Sequence, residues 1–161
     1  MPNRPDLSTP RAEDLAIHRK LAAELFNGTW TLMEKPDRTR AEDARMIHMA
    51  HASAYHWLQV GEPVHFARSH WQCSRMYCEL GRAEPALYHA QFVVDICEQD
   101  DIGDWDLAFG YEALARAHAV AGDQAESRRW REQAESVPIA KAGDRDQLRS
   151  DLATFIEDRT A

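Results

Sequence analysis

The stretch Met46 to Gly61, MIHMAHASAYHWLQVG, contains no Asp, Glu, Lys or Arg, and the histidines His48, His51 and His56 are its only groups that titrate near neutrality. A helix with apolar residues on nearly every side is normally covered by neighbours on more than one face. The stretch is therefore expected to be a central helix, wrapped by the helices on either side of it. Any site is expected to lie close to it.

Composition supports a helical reading of the rest. The chain of 161 residues fits one domain, taken as 1 to 161, and has 25 Ala against 12 Val plus Ile. Ala is the best helix former, whereas the β-branched pair favours strands. An all-α protein is expected. The net charge of −8 falls entirely in the second half, where residues 82 to 161 carry 17 acidic and 9 basic side chains. An acidic surface repels phosphate backbones and there is no basic run to neutralise them, so nucleic acid is not an expected partner. No apolar run approaches the roughly 18 residues that a membrane span requires.

Cys73, Cys78 and Cys97 are odd in number, form no CxxC pair and follow no apolar leader of the kind that marks secretion. A reducing cytoplasm is the expected location, with the three thiols acting as small buried hydrophobes.

Outward from the opening stretch, Thr39 with Glu42 three residues later makes a capping box, so the central helix is expected to start there and run to about Val60. On its N-terminal side, Met1 to Ser8 reads as a frayed leader. A first helix begins near Pro10 after a Thr9 cap, with Asn27-Gly28 as its stop. Thr29 to Asp37 is expected as a short or extended helical turn that Pro36 ends. On the C-terminal side, Gly61-Glu62-Pro63 is a stop followed at once by a start, so the third helix should run antiparallel to the second, as far as about Leu80. Gly81 ends it. Glu84-Pro85 opens a fourth helix, Asp104 caps a fifth that Gly122 ends, and Asp123 with Glu126 caps a sixth. Asp144, with Gln147 in the reciprocal position, opens a capping helix over 144 to 160.

Stop glycines at 61, 81 and 122, each after a helix of about 20 residues, suggest helical hairpins stacked in series. The segment Tyr77-x3-Gly81-x4-Ala86 resembles the tetratricopeptide repeat in its spacing of an aromatic, a turn glycine and a small residue where two helices cross. Gly122 anchors a second copy, with Tyr111, Leu114 and Ala115 before it and Ala134 and Pro138 after it. That copy departs from the pattern at His118 and Ser127, and its glycine follows the first by 41 residues where the family repeats at about 34. Pro63 sits where the family's terminal proline would stand, which makes the central helix the second member of an earlier hairpin, with Ala52 and His56 in core positions. The resemblance implies a right-handed solenoid of about seven helices whose concave groove, lined by the first helix of each hairpin, binds a peptide or another protein. The Lys and Asn pattern of the family's chaperone-binding members is absent.

Two candidate sites follow. Arg68, Trp71, Gln72 and Arg75 fall on one flank of the third helix at spacings of three and four, and in the family register Glu112 and Arg116 of the fifth helix fall beside them. Guanidinium groups around an indole could clamp a carboxylate-bearing peptide. The alternative is that Arg75 and Arg116 pair with Glu79 and Glu112 while Trp71 packs in the core.

The second candidate is the histidine cluster. Levels counted outward from Gly61 bring His56 near His65 and Phe66, and His51 near His70 and Trp71. His48, His51, His56 and His70 could then hold zinc, copper or iron. The competing reading is core histidines hydrogen-bonded to their neighbours, with no cofactor at all. No GxSxG, phosphate-binding loop, HExxH or Cys-His signature is present, so catalysis is not expected. An exposed apolar end on a short solenoid makes pairing with a second copy a further expectation.

Overall fold

The computed structural model describes residues 11–155. Within them lie seven helices and no strand: α1 (Ala12–Met33), α2 (Arg40–Val60), α3 (Pro63–Glu79), α4 (Ala83–Gln99), α5 (Asp104–Ala121), α6 (Gln124–Ser136) and α7 (Ala142–Ala153). They pair as antiparallel hairpins, α1 with α2, α3 with α4 and α5 with α6. Each later hairpin packs on the one before it, and α7 covers the end of the stack against α5. Successive odd-numbered helices also touch, α1 on α3, α3 on α5 and α5 on α7, so one side of the stack is built from them. The leader expected over Met1 to Ser8, the Thr9 cap and the last helix beyond residue 155 lie outside the described residues.

Local chemistry accounts for most helix ends. Thr39 Oγ1 accepts from the Glu42 amide at 3.2 Å and Glu42 accepts from the Thr39 amide at 2.8 Å, the reciprocal pair that starts α2. Gly81 and Gly122 take left-handed φ values of 67° and 81°, which cost glycine nothing and other residues about 1 kcal/mol or more. The two turns also share a hydrogen-bond pattern. The amide after each glycine donates across the turn at 2.9 Å, Arg82 to the Tyr77 carbonyl and Asp123 to the His118 carbonyl. The first hairpin has no such glycine. There Arg38 Nη1 donates to the carbonyls of Leu32, Met33 and Lys35, satisfying the end of α1 from a side chain.

Three expectations about these elements need correction. Asn27-Gly28 does not stop the first helix, which continues to Met33 and absorbs Trp30 and Leu32. Gly28 is there for closeness: a Cβ on it would lie 2.4 Å from the Met49 methyl, so its missing side chain lets α1 and α2 meet. Asp104 is the first residue of α5, and Gly103 is its cap. The Asp104 carboxylate accepts from the Trp105 amide at 2.7 Å and the Ala140 amide at 3.2 Å, tying α5 to the loop before α7. Finally, α7 starts after Lys141 with no side-chain cap, and Gln147 donates forward to Asp151.

The charge-poor α2 is not the innermost helix. It buries one face, Met46, Ala50 and Ser53, and leaves His48, Tyr55 and Leu58 exposed. The innermost helix is α5, where Asp106, Glu112 and Arg116 are buried together with Ala108, Phe109, Gly110, Ala113, Leu114, Ala115 and Ala117. Its charges are tolerated because each is paired. Buried hydroxyls and an amide stitch the layers: Ser53 donates to the Ala22 carbonyl at 2.7 Å, Gln72 to that of Phe26 at 2.8 Å and Ser74 to that of Ala86 at 2.9 Å.

The Gly28 contact makes a direct prediction. Gly28→Ala should change stability by no more than about 1 kcal/mol, because the gain in helix propensity offsets displacement of a flexible methyl. Gly28→Leu should cost about 1–3 kcal/mol by overpacking the α1/α2 seam. Thermal denaturation followed by circular dichroism reads the difference. Equal melting temperatures for the two variants would mean that the seam has room to spare.

Candidate functional site

The odd-numbered helices form a groove walled by aromatic rings. Trp30 from α1 and Trp71 from α3 lie 5.5 Å apart between ring centres, and Trp71 meets Phe109 from α5 edge-on at 5.8 Å. Trp105 meets the same Phe109 edge-on at 5.8 Å. Two adjoining cavities, of about 270 and 320 Å³, share these four rings. Ala67, Arg68 and Asp106 line the first; Arg75, Asp144, Gln147 and Asp151 line the second. The groove therefore runs from an aromatic slot to an acidic rim supplied by α7.

Of the six groove residues expected from sequence, Arg68, Trp71 and Arg75 line these cavities. Both arginines are engaged. Arg68 grips Asp106 through two nitrogens, at 2.9 and 3.1 Å, and lies over the Trp105 ring at 4.4 Å. Arg75 is shared among Glu79 at 3.4 Å, Glu112 at 3.8 Å and Asp151 at 3.9 Å. Gln72 is fully buried and turned toward α1 to cap the Phe26 carbonyl, so it does not face the groove.

Glu112 and Arg116 lie in the layer below. Arg116 Nε and Nη2 both reach Glu112 Oε1, at 2.8 and 2.7 Å, and Nη2 also donates to the Asp151 carbonyl at 2.9 Å. Burial pushes the Glu112 carboxyl above its ordinary range, while Arg116 and Arg75 pull it back. The helical pairing weighed as the alternative for Arg75 with Glu79 and Arg116 with Glu112 is thus the arrangement present.

Among the described residues, three buried side-chain polar atoms have no hydrogen-bond partner: Trp71 Nε1, Arg75 Nη1 and Glu112 Oε2. Such atoms are uncommon in native proteins and costly when left so. Two belong to groove-lining residues, and the third is on the carboxylate directly beneath Arg75. Trp71 and Arg75 line the cavities, whereas Glu112 lines neither.

The four histidines expected to cluster are divided. His48 is exposed. His56 turns to α1, its Nδ1 2.8 Å from that of His18. His51 and His70 do approach each other, but through a partner the sequence reading did not name. His89 of α4 places its Nδ1 2.9 Å from His70 Nδ1 and its ring centre 5.3 Å from His51. His51 Nε2 lies 2.8 Å from the Tyr77 hydroxyl, Tyr77 stacks on His89 and Phe92 stacks on His70.

Levels counted from Gly61 hold beside the turn, where Trp57 stacks on His65 at 4.5 Å. Farther from it they loosen: His51 comes close to Cys73 and to the hydroxyl of the long Tyr77 side chain, and His89 stands beside both His51 and His70. His65 also closes the turn, its Nδ1 accepting from the Glu62 amide at 3.0 Å. The signal for His89 was available: the same counting about the Gly81 turn puts Ser74 level with Ala86 and His70 level with His89. Burial holds His51 and His70 below the ordinary imidazole range and pushes His89 down to about 4, the neighbouring imidazoles adding to the effect.

No protein-family model matches the chain, and no curated protein matches it in sequence.

Proposed function

We propose that this chain is an interaction module of the tetratricopeptide type whose groove, lined chiefly by α3 and α5, holds a peptide or a segment of another protein. The reading rests on the two shared turns at Gly81 and Gly122 and on the alternation of helices. Above all it rests on the continuous aromatic slot of Trp30, Trp71, Trp105 and Phe109. A slot of this size accepts one or two apolar or aromatic side chains, and edge-on and stacked rings reward an aromatic guest.

The ion pairs refine the expected partner. Arg68 and Arg75 already hold carboxylates, so they act as walls rather than as a clamp for an acidic peptide. The rim is acidic, with Asp144 and Asp151 at its edge. The partner that complements it presents an apolar anchor flanked by Lys or Arg. The same proposal takes the cytoplasm as the protein's location, on the ground that Cys73, Cys78 and Cys97 form no disulfide.

Selection of a displayed random peptide library on the immobilised full chain tests this. Enriched peptides should carry an aromatic or Leu next to a basic residue, and Trp71→Ala with Arg75→Ala should abolish their binding while helicity is kept. Because Trp71 also packs beneath the groove, Asp144→Lys serves as a second variant at a partly exposed position. It should weaken binding about fivefold, the effect of one rim charge pair worth about 1 kcal/mol. Enriched peptides that bind all variants as well as the parent would remove the groove as the site.

A further inference from the structure

Away from the groove, where α2, α3 and α4 converge, His51, Cys73 and His89 each bring one ligand atom to within 4.8 Å of the other two. The residues come from three helices and are separated by 22 and 16 positions in the chain, so no local helical spacing gathers them. Two further contacts form an outer layer: the Tyr77 hydroxyl on His51 Nε2 at 2.8 Å and His70 Nδ1 on His89 Nδ1 at 2.9 Å. A ligating imidazole characteristically has its other nitrogen held in this way, an arrangement that leaves His51 Nδ1 and His89 Nε2 as the atoms to bind an ion.

We propose that His51, Cys73 and His89 form a site for a borderline-soft divalent ion, zinc in the first instance, with His70 and Tyr77 positioning the two imidazoles. One thiolate and two imidazoles suit zinc or copper, and the trio has no carboxylate to favour magnesium or calcium. Zinc bonds of about 2.0–2.1 Å to nitrogen and 2.3 Å to sulfur at a tetrahedral angle set ligand atoms about 3.3–3.6 Å apart. The trio reaches that spacing by small side-chain rotations toward a common centre.

Binding exchanges one bond for another. The Cys73 S–H bond breaks, its proton leaves to solvent and the sulfur's electron pair forms the zinc–sulfur bond, while each imidazole donates a lone pair without losing a proton. Three protein ligands leave a fourth position for water or an exogenous donor, the pattern of zinc sites that stay open. Burial pushes the Cys73 thiol up to about 12, so without an ion it is a neutral buried thiol.

The experiment uses the full chain purified without an affinity tag, stripped with chelator and titrated with Zn²⁺ or Co²⁺. One equivalent should bind, with about one proton released per ion into weak buffer, and Co²⁺ should give a near-ultraviolet thiolate charge-transfer band. Cys73→Ser should abolish that band. His51→Ala and His89→Gln should each weaken Zn²⁺ binding by about a hundred-fold or more, a ligand being worth at least as much as the outer layer that supports it. His48→Ala and His56→Ala should bind like the parent. Should Cys73→Ser fail to fold, the two half-buried histidine variants decide the matter, with far-ultraviolet circular dichroism confirming their helicity. No stoichiometric binding by the parent, unchanged affinity in His51→Ala and His89→Gln, or equal loss in His48→Ala would overturn the site.

Discussion

Arg116→Ala should destabilise the fold by about 3–5 kcal/mol, as expected when one member of a buried ion pair is removed and the other stays behind. Arg116 is 6% exposed and Glu112 fully buried, so the deleted guanidinium leaves a carboxylate that water cannot reach. Arg75, 3.8 Å away and already divided among three acids, cannot replace it. The same deletion removes the bond to the Asp151 carbonyl and the stacking of Arg116 on Phe155 at 4.6 Å, both of which hold the end of α7.

Urea denaturation should show the loss as a lower midpoint. Because burial already favours the neutral form of Glu112 and Arg116 no longer opposes it, the gap between variant and parent should narrow as pH falls from 7 toward 5. Glu112→Met combined with Arg116→Leu should lie within about 2 kcal/mol of the parent, since a well-packed apolar pair can replace a buried ionic one. A loss below about 1 kcal/mol for Arg116→Ala would mean that the pair contributes nothing the surrounding packing does not.

Mild acid should unfold the metal-free protein more readily than neutral solution does. His89 has a folded-state pKa depressed to about 4 against an ordinary 6.5, with burial the main cause and His70 and His51 adding to it. A depressed histidine contributes stability that is fully present above the unfolded value and is lost as pH falls toward the folded value, because the unfolded chain takes up protons the native state refuses. The window is therefore pH 6.5 down to about 4. Allowing for solvent screening of a ring that is only partly covered, His89 alone accounts for about 1–2 kcal/mol. His51 and His70 act in the same direction.

Urea midpoints in the presence of chelator should drop between pH 7.5 and pH 5, and His89→Gln should flatten the dependence. A midpoint that rises toward pH 5 would contradict the burial of the cluster. Zinc added at neutral pH should raise the parent's midpoint and leave that of His89→Gln unmoved.

The contrast between α2 and α5 explains what sequence could and could not reveal. Helix ends were legible because they depend on one or two residues acting locally: the Thr39 and Glu42 exchange, the left-handed glycines at 81 and 122, and Pro63 after Gly61. Hairpin pairing followed from short connections. Depth in the stack is not legible locally, because an absence of charge does not by itself mark burial. The deepest helix instead carries Asp106, Glu112 and Arg116; Arg116 pairs with Glu112 on the same helix, but Asp106 and Glu112 also meet Arg68 and Arg75, which lie more than 30 residues away in the chain. Gly28 shows the same limit on a smaller scale. Its role depends on Met49 across the seam, and nothing next to it distinguishes a close approach from a stop. At the site, Arg68, Trp71 and Arg75 were found by helical spacing, whereas Gln72 was misassigned because its partner belongs to α1. His89 becomes legible only when levels are counted about the Gly81 turn as well as the Gly61 turn, since it meets His70 across the former.

The placement of Arg116 beneath the end of α7 also bears on what a proteolytic nick would do. A cut between α6 and α7 that released the seventh helix would remove the Asp151 carbonyl and the Phe155 ring and open the guanidinium at the heart of the fifth helix to water. The linker over 137–141 is therefore the place where a single clip should loosen the stack far beyond the piece it severs.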